Sequence, residues 1–266
     1  MAAESAVPGD PTYRNRTPLL AVTLGDPAGI GPEVVCKWLA QPATQNALAA
    51  AQLRIVLVGT QAALHMGAGV GSSAGSASEL LLSLPCRSAA AFIADAASIP
   101  AAASIPVAAS IPVAAALTEL PSLSLLDVEL PLPQPFHYGA VDARCGAVAV
   151  ASVETAARLC LTGVTAGMVT APINKASVNA AGCADIGHQE MLARLAGVDW
   201  TATMLMTPGL RVAHLSTHKS LAQAVRYVTK ETVLSKLRLL QSSLIECSNL
   251  SLLKTCLLYT SDAADE

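Results

Sequence analysis

Short apolar runs alternate with turns and amphipathic segments from residue 19 onward. Residues 19–23 (LLAVT) and 55–58 (IVLV) are uninterrupted apolar runs that predict buried strands. Between them, a glycine-rich turn over 25–31 leads into Pro32 and Glu33. Proline suits the first position of a helix, and an acidic residue suits the positive end of the helix dipole. A strand, a glycine turn, a helix and a second strand are typical of the start of a parallel α/β sheet. The apolar face of this helix is expected to contain Val34, Val35, Trp38 and Leu39.

The same alternation returns after residue 138. The pattern there predicts a helix over 146–161 with Gly163 beyond its end, a strand over 165–170, a helix over 191–195, strands over 201–206 and 211–215, and a helix that starts near Thr229. Threonine is a favourable N-cap residue. The apolar face of this last helix is expected to contain Val233, Leu237, Leu240 and Leu244.

A six-residue repeat interrupts this pattern. The triplet Ser-Ile-Pro occurs at 98–100, 104–106 and 110–112. Proline at this spacing excludes a regular helix or a central strand, so we interpret residues 72–117 as a low-complexity surface insertion. A six-residue β-helix is a less supported alternative, because the copies lack glycine. The uncharged stretch 96–118 is long enough to cross a bilayer, but its prolines and its Ala and Ser content argue against a membrane span.

Composition narrows the function classes. Hydrophobic residues make up 53% of the 266 residues and charged residues only 13%, which argues against intrinsic disorder. Sixteen Lys and Arg against 19 Asp and Glu leave a net charge of −3, so the chain has no basic excess that would favour nucleic-acid binding. Seven cysteines with no CxxC pair argue against a disulfide framework or a thiolate zinc site. We expect reduced thiols and a cytoplasmic location, since the N-terminus has no apolar core typical of a secretory signal.

Two clusters combine turn residues with groups that bind anions. The first is the turn from Gly25 to Glu33, where glycines allow the backbone to approach a ligand; a plain strand-to-helix turn explains the spacing equally well. Asp26 and Glu33 are candidates for a cleft there. The second is 170–175 (TAPINK) with His188, a strand end that suits a phosphorylated or carboxylated substrate. The alternative is a surface lysine near an ordinary structural histidine.

A third cluster contains two histidines, His214 and His218. Their spacing would place both on one face of a helix, as in many metal sites, but they follow a predicted strand. Only one of them, at the carboxyl end of the strand, is therefore a candidate ligand. No complete metal shell is evident, because a single histidine is not a site.

Taken together, three segments resemble one family. LAVTLGDPAGIGPEVV, VTAPINKASVNAAGCADIGHQEML and LRVAHLSTHKSLAQAV resemble successive signatures of the 4-hydroxythreonine-4-phosphate dehydrogenase family. The resemblance covers about residues 18–65 and 138–244. It implies a homodimer in pyridoxal phosphate biosynthesis that uses NAD (or NADP) and a divalent metal such as Zn, Mg, Mn or Co. The implied reaction oxidises 4-phosphooxy-L-threonine, after which the β-keto acid loses CO₂. No membrane or nucleic-acid partner is expected.

The resemblance also implies roles for particular residues. His188 and Gln189 match the substrate-binding His-Thr pair of the family, and Gln189 is longer than the threonine that it replaces. His218 matches the first metal-ligating histidine, whereas His214 matches an apolar strand position and is interpreted as structural. Lys175 lies in a family motif and is the candidate catalytic residue, with a role in phosphate binding or proton transfer. No cofactor-binding residue is identified.

The implied fold is α/β, with two α/β/α lobes resembling the isocitrate and isopropylmalate dehydrogenases. We expect a flexible leader over 1–16, a first lobe over 17–137, a second lobe over 138–248 and a non-native tail over 249–266. The other two metal histidines of the family, and its later Lys, Asn and Arg substrate contacts, lie beyond this point. A catalytic metal usually has three protein ligands, so we expect the 266-residue polypeptide by itself to be inactive and poorly folded.

Two other functions remain open. The first is that of a paralogue that oxidises another four-carbon phosphorylated hydroxy acid, such as threonate or erythronate phosphate. The second is a non-catalytic binding fragment in which the Ser-Ile-Pro repeat contacts a partner. The enzyme is the favoured interpretation, because residues of functional type continue up to the last recognisable segment.

Overall fold

The computed structural model describes residues 18–69, 81–96, 122–185, 187–199, 201–207, 210–216 and 219–248. The chain divides between Asp199 and Trp200 into two compact units. The predicted leader, the Ser-Ile-Pro repeat and the tail over 249–266 lie outside the described residues. None of the described helices is both long enough and apolar enough to cross a membrane.

The first unit alternates strands and helices. Its strands are β1 (Leu19–Thr23), β2 (Arg54–Gly59), β3 (Cys86–Ser88), β4 (Leu123–Asp127) and β5 (Gly167–Thr170). Its helices are α1 (Gly31–Ala40), α2 (Pro42–Ala50), α3 (Gln61–Gly69), α4 (Ala89–Ala96), α5 (Ala143–Leu161), α6 (Lys175–Ala180) and α7 (His188–Ala196). The strands and helices predicted in this part of the chain are confirmed, with ends that differ by a few residues.

The strands form one parallel sheet in the order β3-β4-β2-β1-β5. Side chains alternate between its two faces. Leu19 and Ala21 pack in a cluster with residues of α4 and α5, whereas Val22 packs in a second cluster with residues of α1 and α3. Helices therefore cover both faces, and the predicted α/β class is confirmed for this unit.

The apolar face of α1 differs from the prediction at one position. Val35 and Leu39 are buried, and Trp38 packs against the same cluster. Val34 is 48% exposed. Residues at i and i+4 share a helix face, so Val35 and Leu39 define the buried stripe and the preceding residue lies outside it.

The structure of residues 81–96 also differs from the prediction, which placed them in the low-complexity insertion. They contain β3, which pairs with β4, and α4, whose Ala89 and Phe92 are buried. The repeat does not begin until residue 98, and the predicted insertion extended too far toward the N-terminus.

The expected lobe boundary at 137/138 does not coincide with the division into units. β5 lies beyond that boundary and pairs with β1 in the first unit. The second unit contains an antiparallel pair, β6 (Met204–Thr207) and β7 (Leu210–Ala213), followed by α8 (Leu221–Tyr227) and α9 (Lys230–Ser248).

The last predicted helix is confirmed. The Thr229 hydroxyl oxygen accepts a hydrogen bond from the Thr232 backbone amide at 3.2 Å, as an N-cap does. Leu244 is buried on the predicted apolar face.

Candidate active site

The strand order of the sheet has a topological switch point between β1 and β5. After β1 the chain adds β2 and β4 on one side, and it returns to add β5 on the other. In open α/β sheets, ligands bind outside the carboxyl ends of the strands at such a switch point. The two segments that leave β1 and β5 are the turn from Gly25 and the segment Ala171–Lys175, which are two of the clusters found in the sequence.

These two strand ends are in direct contact. Gly25 has φ +74°, and a Cβ atom there would lie 2.3 Å from the Pro172 carbonyl oxygen, so only glycine fits. The Asp26 backbone amide donates to the same oxygen at 3.1 Å. The Ala171 amide donates to the Thr23 hydroxyl oxygen at 3.2 Å. The glycines predicted to admit a ligand therefore also serve to pack protein backbone.

Lys175 is the first residue of α6 and its side chain is exposed. Asn174 is the N-cap, and its side-chain oxygen accepts from the amides of Ala176 at 2.9 Å and Ser177 at 3.2 Å. In the predicted TAPINK cluster, the asparagine thus caps the helix. The lysine remains available to solvent and to an anionic ligand.

His188 is the first residue of α7 and is partly buried. Its Nε2 atom is buried and has no hydrogen-bond partner among the described residues. Burial lowers the pKa of His188, because it disfavours the charged imidazolium. An uncharged ring with an unsatisfied buried nitrogen is a suitable hydrogen-bonding group for a substrate. Gln189 follows in the same turn, is partly buried and makes polar interactions of its own.

The structure brings Lys175 close to the start of α7. A Cβ atom built on Gly187 would lie 3.8 Å from Lys175 Cε and 3.7 Å from Glu190 Oε2. Both side chains therefore flank the residue that precedes His188. Glu190 was not among the predicted site residues, although it lies two residues after His188 in the first turn of a helix, a position that favours an acidic side chain.

Helix packing determines the relative positions of Lys175 and His188. A small buried cluster joins α5, α6 and α7 through Ala149, Val153, Val178 and Met191. At the surface, Arg194 of α7 pairs with Asp185 at 2.9 Å and with Glu154 of α5 at 3.2 Å. Such exposed pairs contribute little free energy, so the apolar cluster is the main contact that positions α7.

The two acidic candidates of the first cluster lie in different surroundings. Asp26 is only 1% exposed, and its carboxylate accepts from the Ala28 amide at 2.8 Å. Burial raises the pKa of Asp26, and hydrogen bonds from Ala28, Ser177 and Asn174 oppose that effect. Glu33 is at the surface, where it pairs with Lys37 one turn later. Neither carboxylate is freely open to a cleft.

The predicted metal ligand cannot be placed, because His218 lies outside the described residues. His214 lies directly after β7, in the second unit, and its backbone amide donates to the Thr203 carbonyl oxygen at 3.0 Å. In the described part of the chain, no three His, Cys, Asp or Glu side chains are grouped so that they could hold a metal ion.

Comparison with known proteins links the chain to one family. The family model described as "Pyridoxal phosphate biosynthetic protein PdxA" matches residues 86–253. A 4-hydroxythreonine-4-phosphate dehydrogenase of Geobacter metallireducens is 30% identical over 225 residues, which are 85% of this chain and 56% of the relative. A Bradyrhizobium diazoefficiens protein named "Putative D-threonate 4-phosphate dehydrogenase" is 32% identical over 212 residues, 80% of this chain and 51% of that protein.

Solved structures agree with this relationship. The crystal structure of a 4-hydroxythreonine-4-phosphate dehydrogenase from Burkholderia phymatum matches with a TM-score of 0.62 and 28% identity, over 87% of this chain and 59% of that one. A structure from Klebsiella pneumoniae with the same enzyme name gives a TM-score of 0.60 at 29% identity, over 86% of this chain and 58% of that one. The chain thus spans little more than half the length of the relatives that it matches.

Proposed function

The chain belongs to the family of pyridoxal phosphate biosynthetic protein PdxA, and on this premise we propose that it forms part of a dehydrogenase that acts on 4-phosphooxy-L-threonine. NAD, or NADP, accepts a hydride from the carbon that bears the secondary hydroxyl, and the hydroxyl loses its proton. The resulting β-keto acid releases CO₂ and leaves an amino-ketone phosphate. The protein acts as a homodimer in this proposal.

One observation carries the proposal. Beyond the carboxyl end of β5, the side chain of Lys175 lies beside Gly187, and the next residue, His188, has a buried imidazole nitrogen without a hydrogen-bond partner among the described residues. A cation beyond the carboxyl end of a parallel strand, with a neutral hydrogen-bonding group on a neighbouring helix, suits a substrate that carries an anionic group and a hydroxyl.

Each side chain has a distinct task. The Lys175 ammonium binds an anionic group of the substrate, its phosphate or its carboxylate, and so orients the carbon chain. The Nε2 atom of His188 hydrogen-bonds to a polar group of the same molecule. Because burial keeps the ring neutral, this nitrogen can accept a hydrogen bond from a substrate hydroxyl when the proton is on Nδ1. When NAD is bound, its nicotinamide supplies the hydride acceptor.

The divalent metal is a separate part of the proposal. Its expected ligand His218 lies outside the described residues, and the residues that are described do not provide a metal shell. The roles proposed for Lys175 and His188 therefore do not depend on a metal ion.

Oxidation of D-threonate 4-phosphate is the second candidate activity, because relatives of equal similarity carry that name. Gln189 stands where the resemblance implies threonine. A longer amide side chain next to His188 changes the space and the hydrogen bonds offered to the substrate. Discrimination between the two substrates is expected to depend on this position.

The test uses the protein expressed from its intact gene. NADH formation is measured with 4-phosphooxy-L-threonine, with D-threonate 4-phosphate and with unphosphorylated 4-hydroxythreonine. Lys175→Met is expected to raise the KM for a phosphorylated substrate by about 10- to 100-fold, which is the loss of one charged hydrogen bond. Lys37→Met, which removes a surface lysine of α1, is the matched control and should leave the KM unchanged. Absence of NADH formation with both phosphorylated substrates, or equal KM values for the two variants, would contradict the proposal.

A further inference from the structure

A buried carboxylate lies where the strand ends meet. Asp26 lies in the turn after β1 and is 1% exposed. Removal of a carboxylate from water is costly unless hydrogen bonds replace its hydration. Three donor groups stabilise its charged form: the Ala28 amide, which donates to it at 2.8 Å, and the Ser177 hydroxyl and Asn174 backbone amide, which lower its pKa. One donor comes from the turn that contains Asp26, and two come from the segment that begins α6.

Ser177 connects this carboxylate to a third segment. The residue is fully buried, and its hydroxyl oxygen accepts from the backbone amide of Asp142 at 3.3 Å. An amide nitrogen can only donate here, so the single hydroxyl proton of Ser177 remains available for Asp26. We call Asp26, Ser177 and Asp142 the buried junction; Asp142 is also the N-cap of α5.

Lys175 lies inside the segment that the junction restrains. The Asp26 amide donates to the Pro172 carbonyl oxygen at 3.1 Å, and the Asn174 amide and the Ser177 hydroxyl interact with the Asp26 carboxylate and lower its pKa. Residues on each side of the lysine thus interact with one buried residue. Ordinary packing would not require a carboxylate, because an apolar side chain fills a buried position without loss of hydration.

We propose that Asp26 and Ser177 are positioning residues for Lys175, which restrain the backbone of 172–177 so that the lysine side chain stands beside Gly187 and His188. This inference rests on the proposed function, since Lys175 contacts the substrate only if the protein binds a phosphorylated hydroxy acid. Displacement of a binding group by about 1 Å can cost up to 100-fold in rate. The buried junction restricts such displacement.

The test uses the protein from the intact gene and the variants Ser177→Ala and Lys175→Met, alone and combined. Ser177→Ala is expected to raise the KM for 4-phosphooxy-L-threonine about tenfold with a smaller change in kcat. In the Lys175→Met background the same substitution should have little further effect on KM, because both changes act on one contact. Ser124→Ala is the matched control: it removes another buried hydroxyl, on β4, and should leave the KM unchanged.

A second measurement does not need activity. Lysines are ¹³C-methylated, and the Lys175 resonance is assigned with Lys175→Arg. That resonance is expected to shift in Ser177→Ala and in Asp26→Asn but not in Ser124→Ala. An additive double variant, or an unchanged Lys175 resonance in both junction variants, would overturn the positioning role. An inactive wild-type protein would instead overturn the proposed function, and the resonance would still decide the positioning role.

Discussion

Gly146 of α5 lies so close to α6 that a Cβ atom built on it would stand 1.9 Å from the Ser177 carbonyl oxygen. No side chain can be accommodated at that separation, so α5 and α6 are in backbone contact. Ser177 belongs to the buried junction, and Lys175 is in the first turn of α6. The absence of a side chain at Gly146 thus sets the position of the candidate active site.

Gly146→Ala is expected to lower the free energy of unfolding by about 1–3 kcal/mol, because α6 must move to admit the methyl group. The measurement is urea unfolding followed by circular dichroism. Gly69→Ala is the control: nothing lies within 4 Å of the added Cβ there, and alanine favours a helix. Equal stability of the two variants would show that the contact between α5 and α6 is looser than the structure describes.

The pH dependence of stability is expected to reflect His188. Burial lowers its pKa in the folded protein below the value of about 6.5 in the unfolded chain. Between the two pKa values the unfolded state binds more protons, so stability is fully present above the unfolded pKa and is lost as the pH falls toward the folded pKa.

Urea unfolding from pH 5 to pH 8 tests this expectation. His188→Gln, which keeps a polar side chain that does not titrate, should lose less stability than the wild type as the pH falls below about 6.5. Identical pH profiles of the two proteins would argue that the His188 ring is more hydrated than its burial indicates.

The described cysteines are expected to differ in reactivity. Burial raises the pKa of Cys36 and of Cys145 to about 11, and both side chains are almost inaccessible. Cys86 is exposed, although partial desolvation and the charges of Asp127 and Glu129 raise the pKa of its thiol as well. The rate of alkylation depends on both the fraction of thiolate and the access of the reagent to the sulfur atom.

Iodoacetamide should therefore modify Cys86 well before Cys36 and Cys145 in the native protein, as read by peptide mass spectrometry. The same reaction in urea is the control and should modify all three. Rapid modification of Cys145 in the native protein would mean that α5 opens readily, which would contradict the close contact of Gly146 with α6.

The parts of the fold that the sequence predicted depend on local pattern. The apolar runs at β1 and β2 indicated buried strands because both faces of the sheet are covered, and no alternation with polar residues interrupts them. Thr229 indicated a helix start through its own side chain. Such signals lie within a few residues of the element that they predict.

The candidate site was predictable only in part for the same reason. Lys175 and His188 were found because their residue types suit an anionic substrate, and the structure places Lys175 beside Gly187, the residue before His188. The role of Ser177 depends on Asp26 and Asp142, which are distant in sequence, so no local pattern reveals it. Gly146 was the first residue of the helix predicted over 146–161, and only the observed start at Ala143 makes it an interior glycine, which is a signal of close packing.

The hydrogen bond from the Ala171 amide to the Thr23 hydroxyl joins residues 148 positions apart. At about 5–20 residues per second, synthesis of the intervening chain takes roughly 7–30 s. During that interval β1 lacks its partner β5, and its open edge can pair with other chains. Contacts of such long range form slowly, so pulse-labelled hydrogen exchange during refolding should show protection of β5 amides after those shared by β1 and β2. The candidate active site is therefore completed late in folding, only when β1 and β5, the first and last strands of this sheet to be synthesised, meet.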